Sequence, residues 1–272
     1  MPARVAVGPD RATVGPVAPL PPPSRANAPV DPWAHGTAAG PRGAAGPRRS
    51  LEVDGLRLSI HGDGTAGITP LPGARVTVAV LTRLVDELDA SGVAHVTSSA
   101  LGPADTGPWV AAGFTPATRL VLLRAEVRAA PPRARAVPRL RVGRRRDWTA
   151  LAELDTRAFA PQGGLGEGGL LDAMAVTPAA RVRVAGQPVV GFVIVGHDLR
   201  CGYLQRLAVA PEAEGRGIGS ALVADTLRWL HRRGAREALV NTESGNARAL
   251  ALYERFGFVR QAEGLLVLER RR

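Results

Sequence analysis

The segment Leu204–Gly234, LQRLAVAPEAEGRGIGSALVADTLRWLHRRG, sets the tightest limit on what this chain can fold into. Gln205 to Val209 alternates large and small residues as a sheet strand does, and Pro211 ends the strand. Gly215, Gly217 and Gly219 follow at spacing two, directly before an apolar repeat of helical period. Strand, glycine turn and long helix in that order belong to an α/β architecture. Glycines at a helix start let backbone approach a ligand closely, and the first-turn N–H groups have no intrahelical partner and lie at the positive end of the helix dipole. The stretch is therefore a candidate anion site, with phosphate as the expected ligand.

Composition narrows the class of protein. At 272 residues with 45% hydrophobic content the chain is long enough for one large domain or two smaller ones. Apolar runs long enough to span a bilayer are missing, and the N-terminus lacks the continuous apolar core of a secretory signal, so a soluble cytoplasmic protein is expected. Cys201 is the sole cysteine, which rules out an internal disulfide or a cysteine-based zinc cluster; no metal is expected. The net charge is +11 and every basic side chain is arginine. Together with the excess of Ala, Gly and Pro, this reads as a composition bias more than a nucleic-acid surface, and no DNA-reading motif accompanies it.

Taken in order, residues 1–49 are rich in Pro, Ala, Gly and Arg without apolar period, and disorder is expected there. Residues 50–130 form a first α/β unit. One strand is expected over Leu51–Ile60, a helix through Leu81, Leu84, Val85 and Leu88 to Gly92, a strand at Ala94–Ser98, a short helix at Trp109–Phe114, and a strand at Leu120–Val127. Pro131–Pro138 reads as an extended linker. The second unit, 139–272, opens with a strand at Leu140 and Val142, then a helix capped by Asp147, a glycine-rich loop and a weak helix at Leu170–Val176. Strands at Arg181–Ala185 and Val189–Val195 precede the opening segment; Glu237–Asn241, a helix at Asn246–Arg255 and a last strand at Leu265–Glu269 follow it. The order β-α-α-β-β-β-α-β-α-β describes a mixed sheet with helices on its faces, an α/β (α+β) fold.

Two segments of this second unit, YLQRLAVAPEAEGRGIGSAL and NARALALYERFGF, resemble the pyrophosphate-binding motif and the C-terminal tyrosine motif of the GNAT superfamily of acyl-CoA-dependent N-acyltransferases, in the family's order. The resemblance implies a GNAT fold over 139–272 and acetyl-CoA as acyl donor. It assigns Arg216, Gly217, Ile218, Gly219 and Ser220 to the cofactor pyrophosphate, Leu207 and Val209 to backbone pairing with the pantetheine arm, and Asn246 to a cofactor contact as well as a helix cap. It assigns Tyr253 to protonating the departing thiolate, a role suited to a phenol that is neutral at pH 7. Two departures stand out. Glu214 occupies the place where the family carries Arg or Gln, and the base glutamates of the family's peptide- and histone-acetylating members are replaced by Asn241 and Tyr203. Glu243, two residues beyond Asn241, or a water is then left to take the proton of the attacking ammonium.

The first unit echoes the second: Leu81–Gly92, Val93–Ser98 and Trp109–Phe114 align with the long helix, the next strand and the tyrosine helix, and AAGFTPATRLVLLRAE parallels RFGFVRQAEGLLVLER. In that alignment GARVT at Gly73–Thr77 replaces the phosphate loop and Trp109 replaces Tyr253. A duplication with a degenerate first copy is expected, as in tandem GNAT proteins such as mycothiol synthase, with the first copy completing the sheet or walling the acceptor cleft. The expected function is acetyl transfer to a primary amine, on a small molecule or a peptide, by direct attack in a ternary complex. The alternative is a non-catalytic acyl-CoA-binding or interaction protein. No membrane and no nucleic-acid partner is expected.

Overall fold

The computed structural model describes residues 49–61, 64–71, 73–128, 139–160 and 164–272. The expected disordered tail, but for its last residue, and the expected linker at 131–138 lie outside them. Twelve strands belong to one sheet. The first half contributes β1 (Arg49–Val53), β2 (Leu56–Ile60), β3 (Thr65–Pro70), α1 (Val78–Ala90), β4 (His95–Leu101), α2 (Gly107–Ala111) and β5 (Thr115–Glu126). The second contributes β6 (Leu140–Val142), α3 (Trp148–Ala158), α4 (Gly166–Ala175), β7 (Ala179–Ala185), β8 (Gly191–Asp198), β9 (Cys201–Val209), α5 (Ile218–Arg232), β10 (Glu237–Glu243), α6 (Ala247–Glu254), β11 (Val259–Arg260) and β12 (Leu265–Arg271).

Apolar period accounts for most of these elements. Leu81, Leu84, Val85 and Leu88 form the buried stripe of α1, whose first turn is capped by the Thr77 hydroxyl accepting from the Val80 N–H. In β8 six consecutive residues are buried, as the apolar run anticipates for a strand covered on both faces. The single strand expected over Leu51–Ile60 is instead a hairpin. Asp54 and Gly55 both have positive φ, 51° and 75°, and such a two-residue turn reverses the chain between β1 and β2. Asp147 precedes α3 as expected but does not cap it. Its carboxylate accepts from the Arg144 N–H at 2.7 Å and from both terminal nitrogens of Arg141, each at 2.7 Å.

Strand order carries a feature that element order conceals. The sheet runs β1-β2-β3-β4-β12-β5-β10-β9-β8-β7-β6, with β11 paired to β5. The internal repeat matches β4 with β10 and β5 with β12, yet β4 pairs with β12 and β10 pairs with β5. Each half has given its last strand to the other, and the two exchanged strands lie antiparallel at the centre, with Leu265 opposite Leu120. The residues at 130 and 139 thus divide the sequence without dividing the sheet. Strand β5 buries Leu120, Leu123 and Ala125 in the same core as Val240, Leu250, Tyr253 and Phe258 of the second half.

Candidate active site

Three local features open a cleft in the second half. A register shift in the β8–β9 ladder, where Ile194 faces Arg206 but Val195 faces Leu204, leaves Gln205 as an extra residue, a β-bulge. The parallel ladder between β9 and β10 ends at the Tyr203–Leu239 pair, so Leu204–Val209 diverges from Val240–Glu243. Backbone groups on the diverging edges are left for a ligand or water to satisfy. The glycine turn closes one end: Gly215 and Gly217 have φ of 75° and 76°, which glycine adopts without strain, and Gly217 stands at the N-cap of α5. The cavity between these walls has a volume of about 900 Å³.

The sequence-derived residues fall around this cleft with one exception. Leu207, Val209, Gly217, Ile218, Gly219, Ser220, Glu243, Asn246 and Tyr253 all line it, whereas Arg216 is exposed and lies outside the lining. A side chain at Gly219 would put its Cβ 3.2 Å from Leu252, so the first turn of α5 leaves room for little beyond backbone. Asn246 caps α6, its side-chain oxygen accepting from the Ala249 N–H at 3.0 Å. Glu243 is exposed at the end of β10. Tyr253 is buried, its ring 5.7 Å from that of Phe258. Burial pushes its phenol above the ordinary range, while the nearby Arg206 charge works in the opposite direction. The phenol is therefore protonated throughout the neutral range. Burial likewise pushes the Cys201 thiol up to about 12, which makes it a poor nucleophile.

Glu214, an electrostatic mismatch when read from sequence, is paired with Arg248 of α6. The pair spans the cleft from the glycine turn to the tyrosine helix and compensates the carboxylate.

Thr118 and Leu120 of β5 line the cleft, so the first half supplies part of its wall, as expected of the degenerate copy, through two residues that the sequence did not single out. Sequence reasoning missed a buried ion pair. Asp155 on α3, with no exposed surface, accepts from Arg206 Nε at 2.7 Å and Nη2 at 2.9 Å, and from the Leu165 N–H at 2.8 Å. The Arg206 guanidinium lies 3.3 Å from the centre of the Phe159 ring. One signal was readable: Asp155 falls on the apolar stripe of α3 with Leu151 and Leu154, where an acid needs a partner.

Residues 148–258 match the model of the Acetyltransferase (GNAT) family. The chain carries a GNAT acetyltransferase domain. The chain is 43% identical over 61 residues to mycothiol acetyltransferase of Amycolatopsis mediterranei, a match that covers 22% of this chain and 20% of that protein. It is 42% identical over 65 residues to N-alpha-acetyltransferase 30 of Schizosaccharomyces pombe, covering 24% of this chain and 43% of that protein. The matches thus span about a fifth of the first relative and under half of the second. Among solved structures, a tandem GNAT protein from the clavulanic acid biosynthesis pathway superposes with a TM-score of 0.55 at 16% identity, over 79% of this chain and 78% of that one. A putative GNAT acetyltransferase from Novosphingobium aromaticivorans superposes with a TM-score of 0.54 at 17% identity, over 82% and 91%. The likeness extends over both halves and concerns fold.

Proposed function

We propose that the protein is an acetyl-CoA-dependent N-acetyltransferase that acylates a primary amine by direct attack in a ternary complex. The observation that carries the reading is the divergence of β9 from β10 beside a glycine turn, with a protonated, buried Tyr253 in the same cleft. In this reading the donor's pyrophosphate meets the N–H groups of Gly217, Ile218, Gly219 and Ser220, where the α5 dipole favours an anion. The diverging edge at Leu207 and Val209 pairs with the pantetheine arm. The bound thioester supplies an activated acyl carbon. The amine nitrogen forms the new C–N bond, the C–S bond breaks, and the thiolate takes the Tyr253 proton. Glu243 or water receives the proton lost by the ammonium.

Most of the catalytic advantage in such a site comes from holding amine and thioester together and from hydrogen bonds to the developing charge. No helix among the described residues is long and apolar enough to cross a membrane; a cytoplasmic setting belongs to the same proposal. The test is turnover of acetyl-CoA with a panel of amines, wild type against Tyr253→Phe. Turnover that drops in the variant supports the transferase. Tight binding of CoA with no turnover on any amine would support an acyl-CoA-binding protein instead.

A further inference from the structure

Strand β7 presents two arginines on a face that a helix covers. Val182 and Val184 join the core under α3 and α4, and alternation along the strand sends Arg181 and Arg183 to the opposite face, against α5. A single acid receives them there. Asp225 Oδ2 accepts from Arg183 Nε at 3.1 Å and from Arg181 Nη2, which also donates to the Asp225 carbonyl at 3.1 Å. Arg228, one turn on along α5, comes within 3.8 Å of Oδ1, and Arg232 beyond it is exposed. Arg183 Nη2 also donates to the Leu140 carbonyl at 3.1 Å, and the Arg181 guanidinium lies 5.0 Å from the centre of the Trp229 ring. Both guanidinium groups are thus held in place, yet their side chains keep 18% and 16% of their surface exposed. The helix dipole accounts for cations in the last turns of α5, but not for two that belong to a strand. The charges do not balance: Arg181, Arg183 and Arg232 share one carboxylate, which leaves two positive charges without an acid among the described residues, before Arg228 is counted. Burial brings the Arg181 guanidinium down to about 10 against the pull of Asp225, and Arg183, Arg232 and Arg228 add to the fall. None of these residues lines the donor cleft.

We propose that this cluster is an anion site separate from the donor cleft, and that it takes a phosphate monoester at its exposed rim. Two unbalanced positive charges match a dianion, whereas a carboxylate would leave one of them uncompensated. Guanidinium groups suit phosphate oxygens in geometry as well as charge. Because Asp225, Trp229 and the Leu140 carbonyl already hold Arg181 and Arg183, these side chains lose little freedom when the ligand arrives. Asp225 keeps the like charges together while the site is empty, and the ligand completes the neutralisation that one carboxylate begins. The site is independent of the transferase reading and stands or falls without it.

The experiment is calorimetric titration of inorganic phosphate, and of a phosphoserine peptide beside its unphosphorylated form, at an ionic strength held constant with chloride. The proteins are wild type, Arg183→Gln, Arg232→Gln and Gly217→Asp. Wild type is expected to bind both phosphate probes and not the unphosphorylated peptide. Arg183→Gln should weaken that binding by at least about tenfold, and Arg232→Gln by about threefold. Gly217→Asp, whose added charge sits at the glycine turn, should retain it. Arg232 is exposed and outside the Asp225 hydrogen bonds, so Arg232→Gln leaves the cluster assembled and covers the case in which Arg183→Gln does not fold. Tighter binding of the phosphopeptide than of inorganic phosphate assigns the ligand to a phosphorylated protein, and equal binding assigns it to a free phosphate. No binding of either probe by wild type, equal binding of the unphosphorylated peptide, binding that Gly217→Asp abolishes, or unchanged affinity in every folded arginine variant overturns the proposal.

Discussion

Tyr253 is the residue on which the proposed chemistry depends most narrowly. In that proposal its hydroxyl protonates the departing thiolate, and burial holds the phenol in its protonated form. Tyr253→Phe preserves the ring against Phe258 and removes only the hydroxyl. kcat is expected to fall by about a hundredfold, with the acetyl-CoA dissociation constant and melting temperature unchanged. A loss of donor affinity of similar size would reassign the residue to binding. Asp147 gives a separate test, of stability. Arg141 and the Arg144 N–H lower its carboxyl from 3.8 to about 2. A depressed acid contributes stability above its unfolded pKa and loses it as pH falls through the folded one, so the contribution is whole above about pH 4 and gone below about pH 2. Denaturant midpoints measured from pH 5 down to pH 2 should therefore show a loss of about 1–2 kcal/mol in wild type that Asp147→Asn lacks.

Gly217 and Tyr253 were legible because their signals are local, a turn before a helix and a motif within one helix. Arg206 and Asp155 stand 51 residues apart and share no local pattern, so only the packing of α3 on β9 brings them together.

At the scale of elements, the exchange of β5 and β12 was beyond the reach of the sequence. The repeat correctly pairs AAGFTPATRLVLLRAE with RFGFVRQAEGLLVLER, but two strands this alike carry no information about which of β4 and β10 each will join. The hairpin at Asp54 and Gly55 was missed for a simpler reason: the apolar alternation continues through both strands and hides the turn. The exchange makes β5 part of the second half's core, with Leu123 fully buried and Leu120 on the cleft wall. Residues 139–272 expressed alone would expose the edge of β10 and part of that core, at about 1.5–3 kcal/mol for each large apolar side chain left uncovered. Such a fragment is expected to aggregate or to melt well below the full chain by calorimetry. A monomeric fragment with the full chain's melting temperature and CoA affinity would show that β5 is dispensable.

For the whole molecule, the two halves meet at β5 and β12 like the halves of a dimer joined in one chain, but the likeness stops at the chemistry. In the first half the place of Tyr253 is taken by Trp109, which is fully buried against Phe114 with ring centroids 5.1 Å apart. The counterpart of the glycine turn is the Gly73–Thr77 stretch leading into α1. A molecule built this way should bind one acyl donor per chain, using the first half as scaffold and wall. Calorimetric titration of acetyl-CoA into wild type and Gly217→Asp tests this most directly, since aspartate tolerates the left-handed backbone and places a negative charge where the pyrophosphate would lie. The expected result is one site per chain in wild type and binding at least about tenfold weaker in the variant. Two sites per chain, no binding to wild type, or equal affinity in a folded Gly217→Asp protein would contradict it.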